Sequence, residues 1–354
     1  MDLPAEILVT LLQNLRLKDL IRIELINHHF QNLIRNYKWN HKIVTLRNTD
    51  VMPFVIKNYQ FKKYNFRCSM VTDSIVQHLG NCHTIDLSYC TQITDSSVKC
   101  LGRCHTLNLI GCDQITDSSV KHLGNCHTID LSCCTKITDS SVKCLGRCHT
   151  LHLVRCDQIT DSSVKHLGNC HTVCLSQCTK ITDSSVRCLK NCHAVYLYYC
   201  PLITDSGVKN LGNCHTLNLW GCTRITDSGV KYLENCHILH LSECDKITDS
   251  SVRRLKNCHT LVLFGCTKIT DSSVRRLKNC HAIGLSGCTK ITDSSVRRLK
   301  NCHTVVLSRC SLITDEGAKC LKNCRIVRLN DCPLVTAECR IFLKNNKVAA
   351  FGKN

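Results

Sequence analysis

Eleven times in this chain a histidine follows directly on a cysteine, from Cys82-His83 to Cys302-His303, and eight residues after each such cysteine comes another. Three kinds of chemistry use these residue types. Zinc takes thiolate and imidazole ligands, a thiolate beside an imidazole makes a nucleophile, and paired thiols make a disulfide. The spacing argues against the first, because zinc ligands gather at short separations, about two to four residues between cysteines. Here the two cysteines flank a stretch that reads as a strand, which would hold the thiols at its opposite ends. A nucleophile needs one distinct, oriented environment, whereas these pairs recur alike along the chain. The expectation is packing, with no catalytic residue, no metal and no cofactor. Oxidation would still allow cross-links within a column, since stacked neighbours fall inside the ~4.4–6.8 Å Cα window of a disulfide.

The recurrence defines the architecture. Cys82, Cys104, Cys126, Cys148, Cys170, Cys192, Cys214, Cys236, Cys258, Cys280, Cys302 and Cys324 are each 22 residues apart. A second series runs from Cys90 to Cys332, with Cys68 an isolated earlier member. A period in the 20s marks a solenoid, because one such unit cannot bury its own apolar face. In residues 82–103, Ile85 and Leu87 alternate with polar residues as in a strand buried on one side. Thr94 then caps a short helical turn and Asp95 places negative charge at its start, while Val98 and Leu101 point back to the core.

This pattern resembles the cysteine-containing class of leucine-rich repeats, with Ile-Thr-Asp marking the crossing from strand to helix. The resemblance implies an α/β solenoid: a horseshoe with a parallel inner sheet and short outer helical turns, thin because 22 residues is short for that class. Twelve repeats would occupy 82–345, a linker and degenerate capping repeat 46–81, and a cap or tail 346–354. Repeats 82–103 and 126–147 are nearly identical, as are 104–125 and 148–169, so a 44-residue unit was copied. Such homogeneity resembles the expanded repeat families of giant viruses of amoebae.

The first 45 residues have another texture. Pro4 stands at a helix start, with Ile7, Leu8, Leu11, Leu12 and Leu15 at helical spacing. A second helix is expected from about Asp19, with Leu20, Ile23, Ile26, Phe30, Leu33 and Ile34 as its apolar stripe, and "HKIVTL" reads as a strand. So much apolar surface on so short a segment suggests a partner. The order Leu3-Pro4, Ile7-Leu8, Asp19-Leu20 and then Trp39 resembles the F-box, a helical module that docks onto the Skp adaptor of SCF ubiquitin ligases. Asn27-His28-His29 is more polar than the family's pattern there. The resemblance implies adaptor contacts from Leu3, Pro4, Ile7, Leu8, Leu11 and Leu20, a cullin reached through that adaptor, and Phe30, Leu33 and Trp39 joining the module to the solenoid.

Strand residues that alternate with the core should form the concave, partner-binding face. The registers of Asn218 and Trp220 vary from repeat to repeat while core and turn positions barely change. Tyr196, Tyr198, Tyr199, Trp220 and Phe264 gather in the middle, beside Asn218, His240 and Glu243. Aromatic clusters anchor protein interfaces, so an unidentified protein substrate is expected here. The net charge of +19 lies mainly on the outer turns, including Arg253-Arg254, Arg275-Arg276 and Arg297-Arg298. With no nucleic-acid-binding motif and no interleaved aromatics, that charge reads first as a solvated face, the alternative being a surface for an acidic partner, nucleic acid included. No stretch approaches the ~18 apolar residues of a membrane span. Neither a secretory leader nor a membrane partner is expected, and the free thiols suit cytosol or nucleus, in the host cell if the chain is viral. The eleven histidines should stack in single file and repel on protonation.

Overall fold

The computed structural model describes residues 5–277 and 280–350, and the chain divides into two compact units, 1–158 and 159–354.

The first unit opens with three helices, α1 (Ala5–Gln13), α2 (Leu17–Glu24) and α3 (His28–Asn36). The single helix expected from Asp19 is thus two. Asn27 breaks it: its backbone is extended and its side chain accepts the Phe30 N–H at 2.9 Å, starting a new helix. The break splits the apolar stripe, burying Leu20 and Ile34 while leaving Leu25 and Ile26 in solvent. Arg35 forks onto the buried carboxylate of Glu24 through two 3.1 Å hydrogen bonds, tying α3 to α2. Strand β1 (Lys38–Thr45) follows, then α4 (Met52–Asn58) and β2 (Gln60–Asn65), which pairs with β1 in parallel. The stretch after residue 45 is therefore an ordered crossover rather than a linker. Trp39 is 1% exposed, donates its indole N–H to the Ile34 carbonyl at 2.9 Å, and lies 5.8 Å from the Phe61 ring. It fastens the helices to the first paired strands.

Strands β3 (Thr84–Asp86), β4 (Thr106–Asn108), β5 (Thr128–Asp130) and β6 (Thr150–His152) extend this parallel sheet. Their register pairs Ile85 with Leu107 and Leu107 with Ile129, a constant offset of 22, so equivalent residues pile into columns. The second unit repeats the design from β7 (Thr172–Cys174) and β8 (Ala194–Tyr196) through β9 (Thr216–Asn218), β10 (Ile238–His240), β11 (Thr260–Val262), β12 (Ala282–Gly284), β13 (Thr304–Val306) and β14 (Ile326–Arg328). A nine-residue helix, Ala337–Asn345, replaces the short outer turn of the last repeat, and β15 (Ala349–Ala350) pairs with β14. No helix among the described residues is long and apolar enough to cross a membrane.

Each repeat follows the sequence-based expectation in its core. Ile85, Leu87, Ile93, Val98 and Leu101 are fully buried, and Thr94 accepts the Ser96 N–H at the start of a four-residue helix, Asp95–Val98. The acidic residue behaves differently from expectation. Asp95 reaches into the next repeat, where its carboxylate accepts the Thr116 N–H at 2.9 Å and the Ser119 hydroxyl. So short a helix offers little dipole, whereas a neighbouring repeat offers three donors. Asp117 does the same for Thr138 and Ser141, and in the second unit Asp227 does it for Thr248 and Ser251. Hydrogen bonds and apolar columns therefore bind each repeat to its successor, as a solenoid requires.

Candidate functional site

The two cysteine columns are buried. In the second column Sγ atoms donate to main-chain carbonyls of the preceding repeat: Cys90 to Phe66 and Cys112 to Leu87 at 3.2 Å, Cys222 to Leu197 at 3.0 Å, Cys288 to Leu263 at 3.1 Å. The first column makes longer contacts of the same kind, Cys126 to Leu101 at 3.6 Å. Burial pushes the thiols up, to about 12 for Cys104 and about 11 for Cys214 and Cys222. A thiol held protonated is neither a nucleophile nor a ready metal ligand at neutral pH. All 32 cysteines are free, and among the described residues no three of His, Cys, Asp or Glu converge as a metal site would require.

The histidines stack in file within each unit. Neighbouring rings from His83 to His149 lie 4.4–4.5 Å apart and nearly parallel. From His193 to His303 the spacing is 4.4–4.6 Å, while His171 meets His193 edge-on. Desolvation first, and then neighbouring imidazoles, hold His105 and His259 below the ordinary histidine value. This column is one ring repeated in register, with a single edge-on pair among the described neighbours.

The aromatic group lies elsewhere than the strand face. Strand β9 ends at Asn218, so Trp220 sits on the turn beyond it, as do Tyr198 and Tyr199 beyond β8. With three-residue strands, period-two alternation stops at the strand end, and extending it further misplaces the turn residues. Trp220 is 38% exposed and Tyr199 39%, with ring centroids 5.6 Å apart. Tyr198 is half-buried with its ring edge-on to Tyr199. The Tyr199 hydroxyl donates to Glu243 Oε2 at 2.8 Å, two repeats away. These four residues form the site; Phe264 joins it only through backbone, its carbonyl accepting the Glu243 N–H.

Other expected members have local duties. Asn218 Oδ1 accepts the Trp220 N–H at 3.0 Å, and Asp86, Asn108 and Asp130 fasten the same turn in their repeats. Where that position is His152, Tyr196 or Val262, a serine of the preceding repeat accepts instead: Ser132 for Val154, Ser176 for Tyr198, Ser242 for Phe264. Part of the variation attributed to recognition is thus an alternation that keeps the turn N–H satisfied. Both patterns are visible in the sequence once the turn is known. Burial lowers the pKa of His240 and raises that of Tyr196, so these strand residues are half-buried neutral groups.

At the N-terminus, Leu3 and Pro4 lie outside the described residues. Ile7 and Leu11 are exposed on α1 and Leu8 is half-buried. Leu20 is fully buried and cannot reach a partner, a correction that follows from its packing beneath α3. Leu25, 76% exposed, and Ile26 were not among the expected contacts, because a continuous helix would have directed them otherwise. Among the described residues, five of the fifteen exposed large apolar side chains, Ile7, Leu11, Leu25, Ile26 and Ile43, fall before residue 46. That concentration sets this segment apart. The outer turns carry the expected cations at helix ends; Lys99, Arg253 and Arg275 are exposed, and Arg297 meets Glu316 at 3.2 Å.

No protein-family model matches the chain and no curated protein matches it in sequence. Solved structures do. A chain of the yeast Rad7–Elc1 complex is similar with a TM-score of 0.62 at 17% identity, over 86% of this chain and 87% of that one. An internalin of Listeria monocytogenes is similar with a TM-score of 0.57 at 16% identity, over 93% and 90%. A leucine-rich-repeat protein of Leptospira interrogans is similar with a TM-score of 0.51 at 16% identity, over 95% and 98%. Taken with the parallel strands at a constant 22-residue offset, the buried leucine columns and the short outer helices, these likenesses establish that the chain has the leucine-rich-repeat fold.

Proposed function

We propose that the chain is a substrate-recognition subunit of an SCF-type ubiquitin ligase, its N-terminal helices holding a Skp-type adaptor and its aromatic rim holding a target protein. The observation that carries the reading is the concentration of exposed aliphatic side chains on α1 and at the end of α2. Among the described residues of 82–345 the exposed leucines and isoleucines are Leu202, Leu312, Leu334 and Ile341, against five in the first 45 residues, so the uncovered aliphatic surface is densest at the N-terminal segment. The fold supports interaction with proteins, and one similar structure is itself a complex of two proteins, Rad7 and Elc1. In this reading the chain does no chemistry of its own: burial raises the pKa of its column thiols, and it brings a target to a ubiquitin-loading enzyme.

Co-expression with a Skp-type adaptor and a cullin tests the assignment. The expected result is a co-purifying complex that the double variant Ile7→Asp/Leu11→Asp fails to form while remaining folded by circular dichroism. If the adaptor is never retained, the N-terminal helices serve only as a solenoid cap, and the chain is an interaction scaffold outside the ubiquitin system.

A further inference from the structure

The molecule contains the aromatic seat of the rim twice, and the two copies differ in one instructive way. Tyr89 and Tyr199 occupy the same position of their repeats, both in the left-handed region, at φ 59° and 54°. Each ring lies across the glycine of the next repeat. A Cβ on Gly111 would come within 2.7 Å of the Tyr89 ring, and one on Gly221 within 2.4 Å of the Tyr199 ring. The pose is therefore one pose, allowed by glycine at both places.

Their surroundings are opposite in charge. Arg67, one repeat before Tyr89, places its guanidinium carbon 5.5 Å from that ring's centroid. One repeat before Tyr199 the same position is Gln177, and no cation of the described residues lies over Tyr199 or Trp220. Two repeats after Tyr89 stands Cys133, whereas two repeats after Tyr199 stands Glu243, held by the tyrosine hydroxyl at 2.8 Å. Glu243 is exposed and makes no ion pair among the described residues. In the intervening repeat Ile110 is replaced by Trp220, which adds a second, stronger π face. The first seat is filled by the chain's own arginine; the second has more aromatic surface, a fixed carboxylate and no cation.

We propose that the Tyr199–Trp220–Glu243 seat receives an arginine side chain from the partner protein. A guanidinium stacks on an aromatic face while its N–H fork meets a carboxylate, the two features the seat presents together. The Tyr199–Glu243 hydrogen bond holds the carboxylate beside the rings in advance of binding, which lowers the ordering cost. The positive charge of the chain does not prevent this. Its dense cations, Arg253-Arg254 and Arg297-Arg298, are on outer turns, and screening confines such fields to ~8 Å at physiological salt. The assignment rests on reading this rim as the target-binding surface and names the chemistry the target must offer.

The test uses the purified full chain and short glycine–serine peptides carrying one central arginine, citrulline, lysine or trimethyl-lysine. Trp220 fluorescence, taken as the difference between wild type and Trp220→Phe, reports binding because the other tryptophan, Trp39, is buried. The arginine peptide should shift this signal at least tenfold more tightly than its neutral isostere citrulline. Glu243→Gln should weaken arginine binding about tenfold, and Tyr199→Phe, which keeps the ring but frees the carboxylate, severalfold. Equal response to arginine and citrulline, indifference to Glu243→Gln, or absence of any response to arginine overturns the proposal. Tighter binding of lysine or trimethyl-lysine than arginine overturns the guanidinium assignment. None of these readouts involves the adaptor, so failure of the ligase reading leaves them unaltered. If Trp220→Ala loses the target while arginine and citrulline bind alike, only the present inference fails.

Discussion

Leu219 and Trp220 are adjacent in the chain and belong to different parts of the molecule. Leu219 is fully buried in a column that every repeat extends, and the Leu219 carbonyl accepts the thiol of Cys244 from the next repeat. Trp220 stands on the turn with its ring in solvent and no equivalent in its register. The comparison extends to whole regions. Within the repeats, cysteine, aspartate and threonine spend their hydrogen-bonding capacity on the neighbouring repeat, and sameness along the column is what makes that possible. On the rim and on the N-terminal helices, by contrast, Trp220, Tyr199, Ile7, Leu11, Leu25 and Ile26 keep apolar surface exposed. Residues that look reactive are fixed in place by repetition, and the residues available to a partner are those that break it.

The largest effect should come from the column. Leu219→Ala removes a fully buried side chain and should cost about 2–5 kcal/mol in denaturant unfolding, while Trp220→Ala should change stability by less than about 0.5 kcal/mol. Equal losses would erase the distinction. Next, Asp227→Ala leaves the Thr248 N–H and two hydroxyls without their acceptor and should cost about 1–3 kcal/mol. Although burial alone would raise these carboxyls, hydrogen bonds from Ser251 and Thr248 hold Asp227 below the usual carboxylate range, and Asp117 and Asp271 behave alike. Their contribution is present above the unfolded value of about 3.9 and is lost as pH falls through the lower folded values. Circular dichroism should therefore record cooperative acid unfolding below about pH 4.

A smaller loss should precede it. Because His105 and His259 bind protons less readily when folded, the unfolded chain takes up protons first as pH drops below about 6.5. The melting temperature should fall between pH 7.5 and 5.5; a flat profile would show that the file tolerates charge. Alkylation should disturb stability least. Iodoacetamide on the native protein should label Cys68, Cys100 and Cys144, which are exposed, and spare both buried columns until denaturant is added, as read by peptide mass spectrometry.

The repeats were legible in the sequence because a fixed 22-residue offset leaves strand, cap and core in one register. Interactions that cross between repeats were not, since Asp95 serves Thr116 and Ser119 rather than its own helix and a single repeat contains no sign of that. The apolar stripe likewise suggested a helix continuing through Asn27, where one side-chain hydrogen bond ends it. Leu25 was overlooked for that reason, whereas Leu20 was expected at the adaptor on the F-box resemblance and is buried. Tyr198, Tyr199 and Trp220 do lie together, but three-residue strands put them on the turn, while Tyr196 stays on its strand. The Tyr199–Glu243 bond spans 44 residues and needed the fold to be seen.

The proposed function places recognition on the exposed rim and N-terminal helices and architecture in the columns. Isothermal titration of a purified Skp-type adaptor into the full chain tests this central claim most directly, comparing wild type, Leu11→Asp/Leu25→Asp and Trp220→Ala. The account predicts binding that the N-terminal double variant weakens by about 2 kcal/mol or more, some thirtyfold, and that Trp220→Ala leaves unchanged. Absence of binding by the wild type, or equal affinity for all three proteins, would contradict it.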